Sequence, residues 1–164
     1  MERHESQRGY FAFELYDQMR KNEDIWLLVG DLGFKVFDKH FEDFPDRCIN
    51  VGASEQAMVG IAVGLALEGK IPFVYSITPF LINRAFETIN LYLDVEQVPV
   101  KLVGSGRDKD YEHDGPSHDA TNISNILNTQ KSILQFWPEE KDDIPIMVEE
   151  MVLNKRPSFI SLTR

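Results

Sequence analysis

Cysteine is almost absent from this chain. Cys48 is the single one among 164 residues. No intramolecular disulfide is possible, and such usage fits a reducing compartment. Cys48 sits in the apolar run RCINV, which reads as a buried strand thiol rather than a nucleophile. Basic charge is scarce as well. Lys and Arg number 17 against 27 Asp and Glu, a formal net charge of −10. That balance makes nucleic acid and anionic membranes poor partners. No apolar run approaches the length needed to span a bilayer, and the opening MERHESQRGY has no apolar core of signal-peptide type. A cytoplasmic protein is expected. The standard signatures GxGxxG, GxxxxGKS/T, CxxC and HExxH are missing, and so are internal repeats, low-complexity tracts and linkers.

What is present is ordinary globular composition, 43% hydrophobic and 27% charged. The length suits one domain, 1–164, with a real core. Apolar spacing predicts helices over 6–21, 34–44, 54–68, 80–93, 122–129 and 142–153. Short apolar runs predict strands over 24–30, 47–51, 71–77, 98–103, 133–137 and 158–162. Asp31-Leu32-Gly33 reads as a turn, and Thr78-Pro79 reads as a break between strand and helix. Strand and helix alternate throughout. The expected fold is an α/β three-layer sandwich, a mostly parallel sheet of about six strands with helices on both faces.

The chain is organised around VGASEQAMVGIAVGLALEG, residues 51–69. Met58, Ile61, Ala62, Leu65 and Ala66 follow the spacing of one buried helix face. Ser54 suits the N-cap, and Gly69 suits the left-handed residue after the helix. Glu55 then falls in the first turn, where a strand hands over to a helix. In an open parallel sheet that edge is where ligands bind. An acidic residue there also satisfies the helix dipole without further function.

The longest polar stretch is GSGRDKDYEHDGPSHD, residues 104–119. GSG is too short for a phosphate loop. HDGPSHD gathers two histidines and two aspartates, but without the helical or hairpin spacing of a zinc site. It reads better as a polar substrate loop, with Gly115-Pro116 holding a turn and histidine able to move protons near neutral pH.

Four segments together resemble a known family: DIWLLVGDLG, RCINVGASEQAMVGIAVGLALEGKIPFV, YSITPFLINRAFETI and HDGPSHDATNISNI, with KRPSFISLTR closing the chain. They resemble the pyrimidine-binding domain of thiamine-diphosphate enzymes of the transketolase group. The resemblance implies that Glu55 is catalytic and contacts the aminopyrimidine ring, promoting the imino tautomer of its exocyclic amine. It implies that Phe80 packs on that ring and that Asp31 and Leu32 also bind the cofactor. Asp114, Ser117 and His118 match a loop that meets the sugar donor, with His118 moving protons at a substrate oxygen. Arg84, and also Arg107, are candidates for a substrate phosphate. The stretch GSGRDKD stands where transketolase has a further histidine.

No metal ligand is expected on this chain. The resemblance places the diphosphate and Mg²⁺ on a different domain, absent here along with the family's C-terminal domain. It therefore implies a partner chain carrying the diphosphate-binding domain, and self-association into a dimer or heterotetramer. The apolar faces of the first helix and of the Glu55 helix are candidate interfaces. The implied activity is transfer of a ketol or acyl unit from a small ketose or 2-oxo acid. A beta-type subunit of a 2-oxo-acid decarboxylating complex, or a non-catalytic assembly or regulatory relative, stands as the alternative.

Overall fold

The computed structural model describes residues 4–164. Among the described residues, six strands form one sheet: β1 (Ile25–Val29), β2 (Cys48–Asn50), β3 (Ile71–Ile77), β4 (Lys101–Ser105), β5 (Leu134–Phe136) and β6 (Ser158–Leu162). Their spatial order is β2-β1-β3-β4-β6-β5, and every pairing is parallel. The sheet is thus wholly rather than mostly parallel.

The apolar strand runs are explained by burial on both faces. Leu28, Val74, Leu102 and Phe159 point to one face and meet α3 (Glu55–Leu67), α4 (Thr78–Arg84) and α6 (Ile123–Leu127). Leu27, Val29, Phe73, Tyr75, Val103 and Ile160 point to the other and meet α1 (Gln7–Lys21) and α7 (Ile144–Leu153). Helix α1 starts where expected because the Ser6 hydroxyl accepts from Gly9 N. Its stripe of Tyr10, Phe11, Leu15 and Met19 is buried on its own sheet, which leaves little of that face for a partner chain.

Several boundaries differ from the sequence reading, each for a local reason. The segment 34–44 yields only α2 (Asp38–Asp43), because Gly33 (φ 90°) and Lys35 (φ 66°) are left-handed and Phe34 is exposed. Strand β3 ends at Ile77 as expected, but the helix opens at once, at Thr78 rather than Phe80, and includes Pro79. Pro79 occupies the first turn of α4, where its missing N–H costs nothing. That helix loses its regular path at Ala85 (φ −104°, ψ 13°), continues as α5 (Phe86–Thr88) and widens into a π-helical run, Ile89–Val95. Strand β4 begins at Lys101, three residues later than expected. In α3 the inward residues are Met58, Val59, Ala62, Val63 and Ala66, whereas Ile61 is 41% exposed. Ser54 stands at the N-cap but makes no capping bond with its side chain. Gly69, at φ 82°, ends the helix as expected.

The topology itself locates a crevice. From β1 the chain steps outward to β2, then returns through α3 to β3 on the opposite side of β1. The strand order reverses between β1 and β3. At such a switch point the connecting loops diverge, and a cleft opens at the carboxyl ends of the strands.

Candidate functional site

Glu55 opens α3 at this switch point. Its side chain is only 2% exposed. Ser76, on β3, donates from Oγ to Glu55 Oε1 at 2.9 Å. Arg84, the last residue of α4, donates from Nη1 to Glu55 Oε2 at 2.8 Å. Gly30, just past β1, closes the same corner. A Cβ built there would lie 3.3 Å from Ser76 Oγ and 3.5 Å from Glu55 Oε1. Burial acts to raise the Glu55 pKa. The Arg84 guanidinium, the Glu55 backbone N–H and the Ser76 hydroxyl outweigh it, so the carboxyl is held below the usual glutamate value. The result is a preformed buried carboxylate beside an open cleft of about 580 Å³ lined by Ser54, Glu55, Gln56, Arg84 and Thr88.

Phe80 joins this carboxylate to the polar loop. The Arg84 guanidinium carbon lies 3.8 Å from the centre of the Phe80 ring. The His118 ring meets Phe80 edge-on at 4.7 Å. Ser117 Oγ lies 3.2 Å from His118 Nδ1. Glu55, Arg84, Phe80, His118 and Ser117 therefore form one continuous line of contacts. Asp114 lies one short turn earlier, its Oδ2 3.3 Å from His113 Nε2. Gly115 at φ 94° separates the turns Glu112–Asp114 and Pro116–His118.

Asp31 and Leu32 lie beyond the end of β1. Asp31 is left-handed (φ 57°), a conformation aspartate tolerates. It is pinned by Asn50, whose Oδ1 accepts from Asp31 N at 3.1 Å and from Gly52 N at 3.0 Å. Leu32 packs against the α1-side core and borders a cavity of about 240 Å³ lined by Gly33, Phe34, Phe37 and Phe41. Arg107 is committed elsewhere. It donates to Pro138 O at 3.0 Å and to Ser161 Oγ at 3.2 Å, bracing the end of β6.

Three residues at the site escape a linear reading. Ser76 is the second partner of the Glu55 carboxylate, and Thr78 donates to Gly106 O at 2.6 Å. Tyr111 carries the loop: its hydroxyl meets Ser105 Oγ and Arg8 Nη1, both at 3.1 Å. Polar residues at the carboxyl end of a predicted strand are the signal that finds Ser76. Tyr111 has no such signal. The GSG stretch is explained by packing: a Cβ on Gly104 would lie 2.5 Å from Thr78 Oγ1, and one on Gly106 (φ 85°) 2.3 Å from the Tyr111 ring. No cluster of three or more His, Cys, Asp or Glu is arranged to hold a metal among the described residues. No described helix is long and apolar enough to cross a membrane.

Comparison with known proteins adds the family. The model for the transketolase pyrimidine-binding domain matches residues 6–164. The chain belongs to this family. The 6-deoxy-6-sulfo-D-fructose transketolase subunit SqwH of Clostridium sp. (strain MSTE9) is 29% identical over 158 residues, 96% of this chain and 49% of that protein. An apulose-4-phosphate transketolase subunit of Actinobacillus succinogenes is 31% identical over 74% of this chain and 39% of its own length. A solved split-gene transketolase, described as an inactive beta4 tetramer, superposes with a TM-score of 0.85 at 26% identity, covering 97% of this chain and 51% of that one. The chain thus spans about half the length, or less, of the curated relatives it matches.

Proposed function

We propose that this chain is the pyrimidine-binding part of a transketolase-like, thiamine-diphosphate-dependent transferase that works with a partner chain. The observation that carries this reading is Glu55, buried at the switch point of a transketolase-family pyrimidine domain and linked through Arg84 to the Phe80 ring. Two relatives of this chain are described as transketolase subunits, which supports a second chain bearing the diphosphate-binding domain and most of the Mg²⁺ site. The outward face of α3 supports a contact with it. Gly60 and Gly64 have open space beyond them, and Ile61 and Leu67 are exposed. Dimers or heterotetramers are the expected assemblies, in the cytoplasm, where the free Cys48 stays reduced.

The residues present fit an aminopyrimidine. Glu55 presents a carboxylate at the cleft, and the Arg84 guanidinium carbon lies 3.8 Å over the Phe80 ring, where a flat ring would sit. Thiamine diphosphate, when bound, supplies the carbon centre at which a ketol unit is held between donor and acceptor. Glu55 would hold a proton at a ring nitrogen. Ser76 holds Oε1 of the Glu55 carboxyl in place through its hydroxyl. Phe80 orients the flat face and excludes water from it. His118, against the edge of Phe80, would give and take a proton at a substrate oxygen, with Ser117 steering its Nδ1. Asp114 would accept from a donor hydroxyl. Asp31 and Leu32 would close the cofactor cleft from the β1 end. A ketose donor fits this polar loop better than the 2-oxo acid of a decarboxylating complex.

The test is reconstitution. The chain is mixed with a diphosphate-domain partner, thiamine diphosphate and Mg²⁺, and two-carbon transfer from a panel of ketoses to aldehydes is followed. Transfer that needs both chains supports the reading. Transfer that proceeds without this chain, or no transfer from a correctly assembled complex, contradicts it.

A further inference from the structure

The two contacts that define a seat for a flat ring are an in-plane polar edge and an aromatic face. Here both are filled by one side chain of the protein itself. Arg84 donates from Nη1 to Glu55 Oε2 at 2.8 Å, and its guanidinium carbon lies 3.8 Å from the centre of the Phe80 ring. A guanidinium is planar, delocalised and rich in in-plane donors, so it presents to these two residues much what an aminopyrimidine presents. Arg84 is not locked in place by burial. Its side chain is 47% exposed, it ends α4 where Ala85 interrupts the helix, and it lines the open cleft.

We propose that Arg84 is a built-in occupant of the ring seat, one that holds Glu55 and Phe80 while no cofactor is bound and must swing out before a pyrimidine can enter. This rests on the reading of the cleft as a pyrimidine site. Two consequences follow from the geometry. Arg84 competes with the ring and so lowers the affinity of the uncombined chain for it. Arg84 also keeps Glu55 as an ion-paired carboxylate, unable to share a proton with a ring nitrogen until the arginine has left.

The experiment uses the 164-residue chain and thiamine as the probe, since thiamine carries the pyrimidine without the diphosphate. Binding is followed by NMR through the Phe80 ring in the wild type, Arg84→Met, Arg84→Gln and each of these combined with Glu55→Gln, and also through the Glu55 carboxyl wherever Glu55 is kept. Removing the competitor should tighten thiamine binding about fivefold or more, the combined strength of an exposed ion pair and a cation–π contact. It should also move the Glu55 titration upward in the free chain. Glu55→Gln should abolish the gain. If both Arg84 variants bind thiamine no tighter than the wild type while Glu55→Gln still weakens it, the seat stands and the occupant is refuted. Absence of Glu55-dependent thiamine binding in every variant removes the seat, and the occupant with it. Both Arg84 variants alter a half-exposed side chain, and an unchanged melting temperature in either one keeps the comparison valid.

Discussion

Acidification should destabilise this protein through one histidine. His40, on α2, is fully buried between Tyr16 and Phe37, with ring centres at 5.4 and 5.1 Å, both edge-on. Neither ring nitrogen makes a well-formed hydrogen bond among the described residues. Burial penalises the charged imidazolium and lowers its pKa from 6.5 to about 4, against weaker opposing effects from the Ala12 backbone and the Asp43 charge. Above pH 6.5 both folded and unfolded chains carry the neutral ring, so no stability depends on it. Between pH 6.5 and about 4 the unfolded chain takes a proton that the folded chain refuses, and stability falls as pH falls. At about 1.4 kcal/mol per pKa unit, the loss reaches about 3 kcal/mol when the folded ring finally protonates. Urea unfolding at a series of pH values from neutral down to about 4.5 measures it, with His40→Leu as the reference because leucine cannot take a proton. The wild type should lose about 2.5 kcal/mol more than His40→Leu across this range. Parallel pH profiles would refute the reasoning, and would mean that the ring finds a partner or water in solution.

Further predictions concern the loop and its support. His118→Ala should lower kcat of the assembled enzyme about a hundredfold or more, with cofactor affinity nearly unchanged, as steady-state kinetics with a thiamine diphosphate titration would reveal. The reverse pattern would place His118 on the cofactor. Gly106→Ala should cost about 2 kcal/mol or more, because it combines a left-handed backbone with a Cβ driven into the Tyr111 ring, and thermal melts report it. A neutral outcome would mean that the 104–119 loop repacks freely.

Much of this architecture was legible in the chain. The runs at β3 and β6 coincide with the observed strands, because residues buried on both sheet faces leave a mostly apolar signature without strict alternation. Glu55 was legible as the first residue of a helix at the ligand edge. Its partners were not. Ser76 and Arg84 lie 21 and 29 residues away, and only the folded sheet brings them to one carboxylate. The inward face of α3 was misjudged at Ile61 because small and apolar residues surround that helix, and periodicity cannot select a face when most faces are apolar. The aromatics of 34–44 mimic helical spacing, but Gly33 and Lys35 turn the backbone left-handed and shorten α2.

The central claim is that Glu55 works on the cofactor's pyrimidine. The most direct measurement is turnover of Glu55→Gln in the assembled enzyme at saturating thiamine diphosphate and Mg²⁺. Glutamine keeps the size and the bond from Ser76 but cannot hold the proton. The account predicts a kcat lower by about two to four orders of magnitude with the fold and assembly intact. A variant that turns over at the wild-type rate would show that this carboxylate is only a helix-terminal ion pair with Arg84.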